Sequence, residues 1–270
     1  MLNMFQHLIM KYKDQLNRTL EFKETPKRIV SLVPSQTELL VDLGLESSIV
    51  GVTKFCVHPK HLIKEKTIVG GTKQVDLDKI KALNPDIILC NKEENTKAMI
   101  LDLEEIAPVH ISDIYNVPDA LELIRMYGVL FSVEKKANII IQNISKAHID
   151  FTRCIEGKLK LKVAYFIWKN PWMVAANNTF IDAILSLNNF ENYFKELERY
   201  PEVNLKKMDT ALDAILLSSE PYPFKDKHIE DLKHQFPDTK VVLVNGEYFS
   251  WYGSRLQYAF DYFKTLHQDL

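Results

Sequence analysis

RIVSLVPSQTELLVDLGLESSIVGVT, Arg28 to Thr53, is the stretch that decides the fold. Its opening, RIVSL, is apolar and β-branched and is followed by turn residues, the pattern of a buried strand. SQTE then offers a capping box: Ser35 is expected to cap a helix and Glu38, three residues on, to reach back. Leu39, Leu40 and Leu43 lie on one side of that helix, and Gly44 ends it. IVGV supplies a second strand. A strand, a helix and a strand in so short a span imply parallel pairing through a crossover helix.

The same alternation runs outward in both directions along the chain. A helix over 76–83 stops before Pro85, DIILC (Asp86 to Cys90) is a third buried strand, and a helix over 94–106, the short strand PVHI and a helix over 118–131 follow. Later come the strand KVAYFIW, a helix over 179–187, a short helix near 205–210, the strand AILLS, a helix over 226–235, the strand VVLV and a terminal helix after Tyr252. Between the halves, Val133 to Gly157 carries apolar residues at 137, 140, 141, 144, 147, 151, 154 and 155 with no internal Gly or Pro. That spacing predicts one helix, about 35 Å long at its regular rise. The expected architecture is therefore α/β: two Rossmann-like lobes with parallel sheets, 14–132 and 158–270, joined by a stiff helix over 133–157.

Composition limits what such a protein does. Of 270 residues 46% are hydrophobic and 26% charged, and the formal net charge is -2. These are ordinary values for a globular protein, and neither the charge nor any basic cluster suggests a nucleic-acid partner. Cys56, Cys90 and Cys154 are too few and too far apart for a disulfide framework or a CxxC zinc pattern. The start, MLNMFQHLIMKYKDQ, has no basic region and no small-residue cleavage site, so it is not read as a signal peptide. No stretch approaches the ~18 apolar residues of a membrane span. The chain reads as a cytosolic protein or the mature form of an exported one.

In parallel α/β sheets ligands bind beyond the carboxyl ends of the strands, so the loops after each strand define the expected cleft. One such loop holds Cys56 and His58 beside Phe55, in GVTKFCVHP. Three readings stand for that pair: a nucleophile with its base, ligands of zinc, iron or cobalt completed by Glu93, Glu94 or Glu247, or the wall of a pocket. The loops of the second half are rich in rings. FIWKNPW and EYFSWYGSR hold all three tryptophans, Trp168, Trp172 and Trp251, with Tyr248 and Tyr252 beside them, and Tyr200 lies in a further loop. Large rings in loops mark a binding surface for a flat or partly apolar ligand, and Arg255 and Glu247 are placed to orient its polar groups. There is no GxGxxG, Walker loop or GxSxG elbow.

RIVSLVPSQTELLVDLGLESSIVGVT, the pair Gly70–Gly71 before DLDKIKALNPDIIL, and the long linking helix together resemble the substrate-binding proteins of ABC importers for vitamin B12 and iron chelates, the class with a helical backbone between lobes. The likeness runs from about Asp14 to the end. It implies a ligand such as a cobalamin-like corrinoid or a ferric siderophore chelate, carried rather than built in as a cofactor, and a periplasmic or cell-surface setting. It also implies ligand-facing aromatics at Phe55 and Tyr200, near Trp168, and in the loop from Glu247 to Trp251. Thr72 and Asn91 stand where the family has further aromatics. The resemblance implies docking on an ABC permease through an acidic residue on each lobe: Asp78 fits on the first, while Lys206 occupies the matching place on the second, with Glu202 nearby.

The expectation is a monomeric protein, not an enzyme, that holds a metal chelate between its lobes without transforming it. Two rivals stand beside it: a cytosolic metal-binding protein or enzyme using Cys56, His58 and the carboxylates, and a scaffold that binds a protein partner.

Overall fold

A computed structural model describes residues 9–208 and 211–270. Residues 1–8, the first part of the segment read for a signal peptide, and residues 209 and 210, the end of the expected short helix, lie outside the described residues. The chain divides into two compact units. The first comprises the residues up to Ile114 with Pro118–Asn143 and Tyr252–Arg255; the second comprises Tyr115–Val117, Ile144–Trp251 and Leu256–Leu270.

The first unit opens with an antiparallel hairpin, β1 (Met10–Lys13) and β2 (Thr19–Phe22). Then follow β3 (Ile29–Ser31), α1 (Pro34–Asp42), β4 (Ile49–Val52), α2 (Leu62–Glu65), β5 (Thr67–Ile68), α3 (Leu77–Ala82), β6 (Ile87–Asn91), α4 (Lys97–Glu104), β7 (Val109–Ser112) and most of α5 (Val117–Leu130). The five strands pair in parallel in the order β5-β4-β3-β6-β7. Strands β3, β6 and β7 are buried along their whole length, as helices on both faces of a parallel sheet require. Val30, Leu32, Ile88 and Cys90 meet Ile80, Met99, Ile100 and Leu103 of the crossover helices in one core.

The start of α1 differs from expectation. Pro34 takes the first helical position, where its missing N–H is not needed, so Val33 is the cap residue and has no side-chain cap bond. Ser35 is thereby drawn inside the first turn, buried with an unpartnered hydroxyl. Glu38 turns instead to Arg255.

The hairpin is tied to β7, the outer strand of this sheet. Asp14 is buried and accepts from the Ile111 amide at 3.3 Å, while its other oxygen receives the Leu16 and Arg18 amides. Arg18 donates to the Val109 carbonyl and pairs with Asp14 and Glu104. Gln15 accepts from the Asp113 amide at 3.1 Å.

Helix α6 runs unbroken from Glu134 to Ile155, and the division between units falls inside it, after Asn143. Ala137, Ile140, Ile144, Phe151 and Ile155 are buried along one stripe. Cys154, assigned by its spacing to that stripe, is exposed. Together with Tyr115–Val117 and Tyr252–Arg255, this break sets the observed units apart from the expected boundaries.

The second unit holds β8 (Leu161–Trp168), β9 (Met173–Val174), α7 (Phe180–Leu187), β10 (Phe190–Asn192), β11 (Ala214–Ser218), α8 (Asp226–Gln235), β12 (Lys240–Val244), α9 (Gly246–Ser250) and α10 (Leu256–Asp269). Its parallel strands run β10-β8-β11-β12, and β9 pairs antiparallel with β8. Phe166, Ile215 and Leu217 pack with Leu232, Phe236 and Val241. Thr179 caps α7 and Asn245 caps α9 through their side chains. The short helix near 205–210 is a 3-10 turn over Leu205–Lys207 among the described residues. No helix among the described residues is long and apolar enough to cross a membrane.

His110 of β7 is a buried ring whose two nitrogens lack partners, set edge-on to Tyr127 at 5.2 Å. Burial lowers its pKa to about 4, against an opposing pull from Asp14 and with Arg18 adding to the depression. The folded state therefore resists protonation that the unfolded chain accepts. Its contribution is complete above the unfolded value near pH 6.5 and disappears as the pH falls to about 4, worth about 3 kcal/mol in full. Urea unfolding at pH 7 and pH 4.5 is expected to show a smaller acid loss for His110→Phe than for the native protein; equal losses would remove His110 from this role.

Candidate ligand-binding site

In the first unit the strand order reverses between β3 and β6, where parallel sheets open a crevice at their carboxyl ends. The residues reaching that end form a closed polar network. Tyr127 donates to Gln36 Oε1 at 2.6 Å, Gln36 Nε2 to Ser112 Oγ at 2.6 Å, and Asn91 Nδ2 to the same oxygen at 3.0 Å. Tyr252 donates to Glu94 Oε1 at 3.2 Å. Burial holds the Tyr127 and Tyr252 phenols well above their ordinary pKa, so both stay protonated donors. The Asn91 side chain also accepts the Glu93 and Glu94 amides and shapes the loop after β6. Asn91 is thus buried turn architecture.

Phe55, after β4, is 48% exposed. With Lys54, Gly70, Gly71, Thr72, Lys73 and Gln74 it lines an open pocket of about 590 Å³. Gly70 has φ +133°, and a Cβ there would lie 2.6 Å from the Gln74 carbonyl oxygen; at Gly71 a Cβ would lie 3.3 Å from the Phe55 ring. The paired glycines let this turn close beside the ring. The Lys54 ammonium sits 5.1 Å from the ring centroid.

Cys56 points the other way. It is fully buried, with Sγ 3.1 Å from Thr37 Oγ1 and 3.3 Å from Thr53 Oγ1. Burial raises its pKa, more than the two hydroxyls lower it, so it is a thiol rather than a thiolate ligand or nucleophile. His58 is partly buried beside Glu38, whose carboxyl its charge would favour. Among the described residues the three-member group with metal-ligand spacing is Glu46, His61 and Glu65, and it includes neither Cys56 nor His58. Of the three readings of the pair, the buried, protonated thiol weighs against the nucleophile and the metal ligand and favours the one in which neither residue reacts.

Arg255 and Glu38 form a forked pair, at 2.9 Å and 2.6 Å, with both side chains largely buried. Burial raises the Glu38 carboxyl despite the guanidinium beside it. Arg255 thus has a structural partner in its own unit, which the expectation of a ligand-orienting arginine did not include.

In the second unit the reversal lies between β8 and β11. Trp168 ends β8 at that point, is 39% exposed, and meets Tyr222 edge-on at 5.5 Å. Trp172 is partly buried, stacked on Phe224 at 5.9 Å with the Lys169 ammonium 5.3 Å from its centroid. Tyr200 is partly exposed, and the Arg199 guanidinium lies 5.7 Å from it and 5.8 Å from Tyr115. Glu247 and Tyr248 stand on α9 rather than a loop, both partly buried, with Tyr248 stacked on Tyr262 at 4.8 Å.

Trp251 and Tyr252 are only 7% and 6% exposed. The Trp251 indole donates to Glu220 Oε1 at 2.8 Å, and Ser250 donates to the same oxygen at 2.9 Å. Both residues read from the sequence as ligand-stacking rings are packing elements in this structure. The reason is that α9 turns EYFSW inward, burying Phe249 and Trp251 together. Glu220 and Tyr222, which anchor Trp251 and flank Trp168, lie in the loop Ser218 to Tyr222 directly after β11, a segment that its position after a strand assigns to the cleft without giving either residue a role.

Residues 29–236 match the family model described as periplasmic binding protein. The chain belongs to the periplasmic binding protein family. Among relatives of this family member, an uncharacterized ABC transporter substrate-binding lipoprotein of Bacillus subtilis is 30% identical over 135 residues, 48% of this chain and 42% of that one. A vitamin B12-binding protein of Pectobacterium carotovorum is 25% identical over 244 residues, 87% of this chain and 86% of that one. A periplasmic haem-binding protein from Pseudomonas aeruginosa superposes with TM-score 0.75 at 21% identity, covering 89% of this chain and 92% of the other, a likeness of fold. Periplasmic binding proteins of this group are substrate-binding components of transport systems, and the α/β architecture with parallel sheets and a long helix is theirs.

Proposed function

We propose that this periplasmic binding protein holds a metal chelate, of the corrinoid, haem or ferric siderophore class, and passes it on unchanged. The observation that carries the reading is the pair of exposed rings, Phe55 and Trp168, each at the carboxyl end of a parallel strand. Flat faces in that position suit a macrocycle or an aromatic chelate. The names of the B12-binding and haem-binding relatives support the ligand class. Tyr200, Trp172, Glu247 and Tyr248 supply further contacts in this reading, while Trp251, Tyr252 and Arg255 are engaged by Glu220, Glu94 and Glu38.

Delivery to an ABC permease would use Asp78, exposed in the first turn of α3, and the exposed Glu202. No catalytic step is assigned, and the buried, protonated Cys56 supports that reading over an enzyme or metal-handling protein built on it. Native mass spectrometry against a panel of corrinoids, haem and ferric chelates tests the proposal. One chelate retained per protein monomer is expected; retention of none across the panel would overturn it.

A further inference from the structure

We propose that Glu46, His61 and Glu65 form a separate binding site for a divalent transition-metal ion of the zinc class, on the surface of the first unit. One ligand atom from each lies within 4.8 Å of the others. His61 and Glu65 are four residues apart in one helical turn, which sets both side chains on the same face. Glu46 begins a 3-10 turn and brings its carboxylate to 2.7 Å from His61 Nε2. The Lys66 ammonium donates to the Glu46 backbone carbonyl at 2.8 Å, holding that turn against the end of α2.

Ligand atoms around a tetrahedral zinc ion stand about 3.4 Å apart, given bonds of about 2.0–2.2 Å. The His61–Glu46 pair must therefore open by about 0.7 Å and Glu65 must swing in by up to about 1.4 Å. Both motions are available to side chains this exposed. Two carboxylates and a neutral imidazole balance a dication, and the imidazole favours zinc, nickel or copper over calcium or magnesium. Three protein donors leave a fourth position for water. The site uses neither Phe55 nor Trp168 and is independent of the chelate reading.

Isothermal titration of zinc chloride into chelator-stripped protein tests the site, in a Cys154→Ser background that removes the exposed thiol. One zinc per chain is expected, lost in His61→Ala and weakened at least tenfold in Glu65→Gln, with cobalt giving an absorption spectrum free of thiolate charge transfer. Far-UV circular dichroism and chelate binding are expected to be unchanged in His61→Ala. No saturable zinc uptake in the Cys154→Ser protein, or uptake that survives His61→Ala, would overturn the proposal.

Discussion

Alanine at Phe55 and Trp168 together is expected to weaken chelate binding about a hundredfold, from about 1.5 kcal/mol at each ring. The two side chains are 48% and 39% exposed, so their removal opens no cavity and leaves the fold intact. Trp251→Ala is the informative contrast. Its ring is buried and its N–H is satisfied by Glu220, so truncation is expected to lower the melting temperature before it touches affinity. Titration calorimetry beside thermal unfolding separates the two behaviours. Chelate affinity that survives the double substitution would mean that the exposed rings are not the binding surface.

Arg255→Ala is expected to destabilise the protein by about 3 kcal/mol. The substitution leaves Glu38 largely buried without its forked partner. Its carboxyl is already raised by burial, and losing the guanidinium raises it further. Protonation then relieves the stranded charge, so the loss is expected to be larger at pH 8 than at pH 5. Urea unfolding at both pH values reads this directly, and Glu38→Gln in the Arg255→Ala background is expected to recover part of the stability. A loss independent of pH would assign the effect to packing of the arginine stem instead.

Buried strands were the most legible part of the chain. The runs at β3, β6 and β11 are mostly apolar and buried along their whole length, because helices cover both faces of each sheet. The hairpin strands β1 and β2 escaped because four-residue alternating segments carry little signal, and β10 because Phe-Glu-Asn lacks β-branched residues. Helix α9 escaped because five residues, two of them aromatic, cannot display a helical period. At the site, the positions of Phe55 and Trp168 after strands could be read, and their exposure follows from that position. The direction of Trp251 could not, since it depends on Glu220, thirty-one residues away in the chain. Likewise the sealing of Cys56 depends on Thr37, nineteen residues earlier. Such distant partners leave no local mark in composition or spacing.

The ties between the hairpin and β7 bear on how this protein behaves at high concentration. An outermost strand offers a ladder of idle amides and carbonyls to which a stray chain can add, the first step toward fibrils. Here the Val109 carbonyl, the Ile111 amide and the Asp113 amide are plugged by Arg18, Asp14 and Gln15. Charged and amide tips do the work of a neighbouring strand while presenting nothing that a second molecule can extend, so this flank of the sheet is closed to templated self-association.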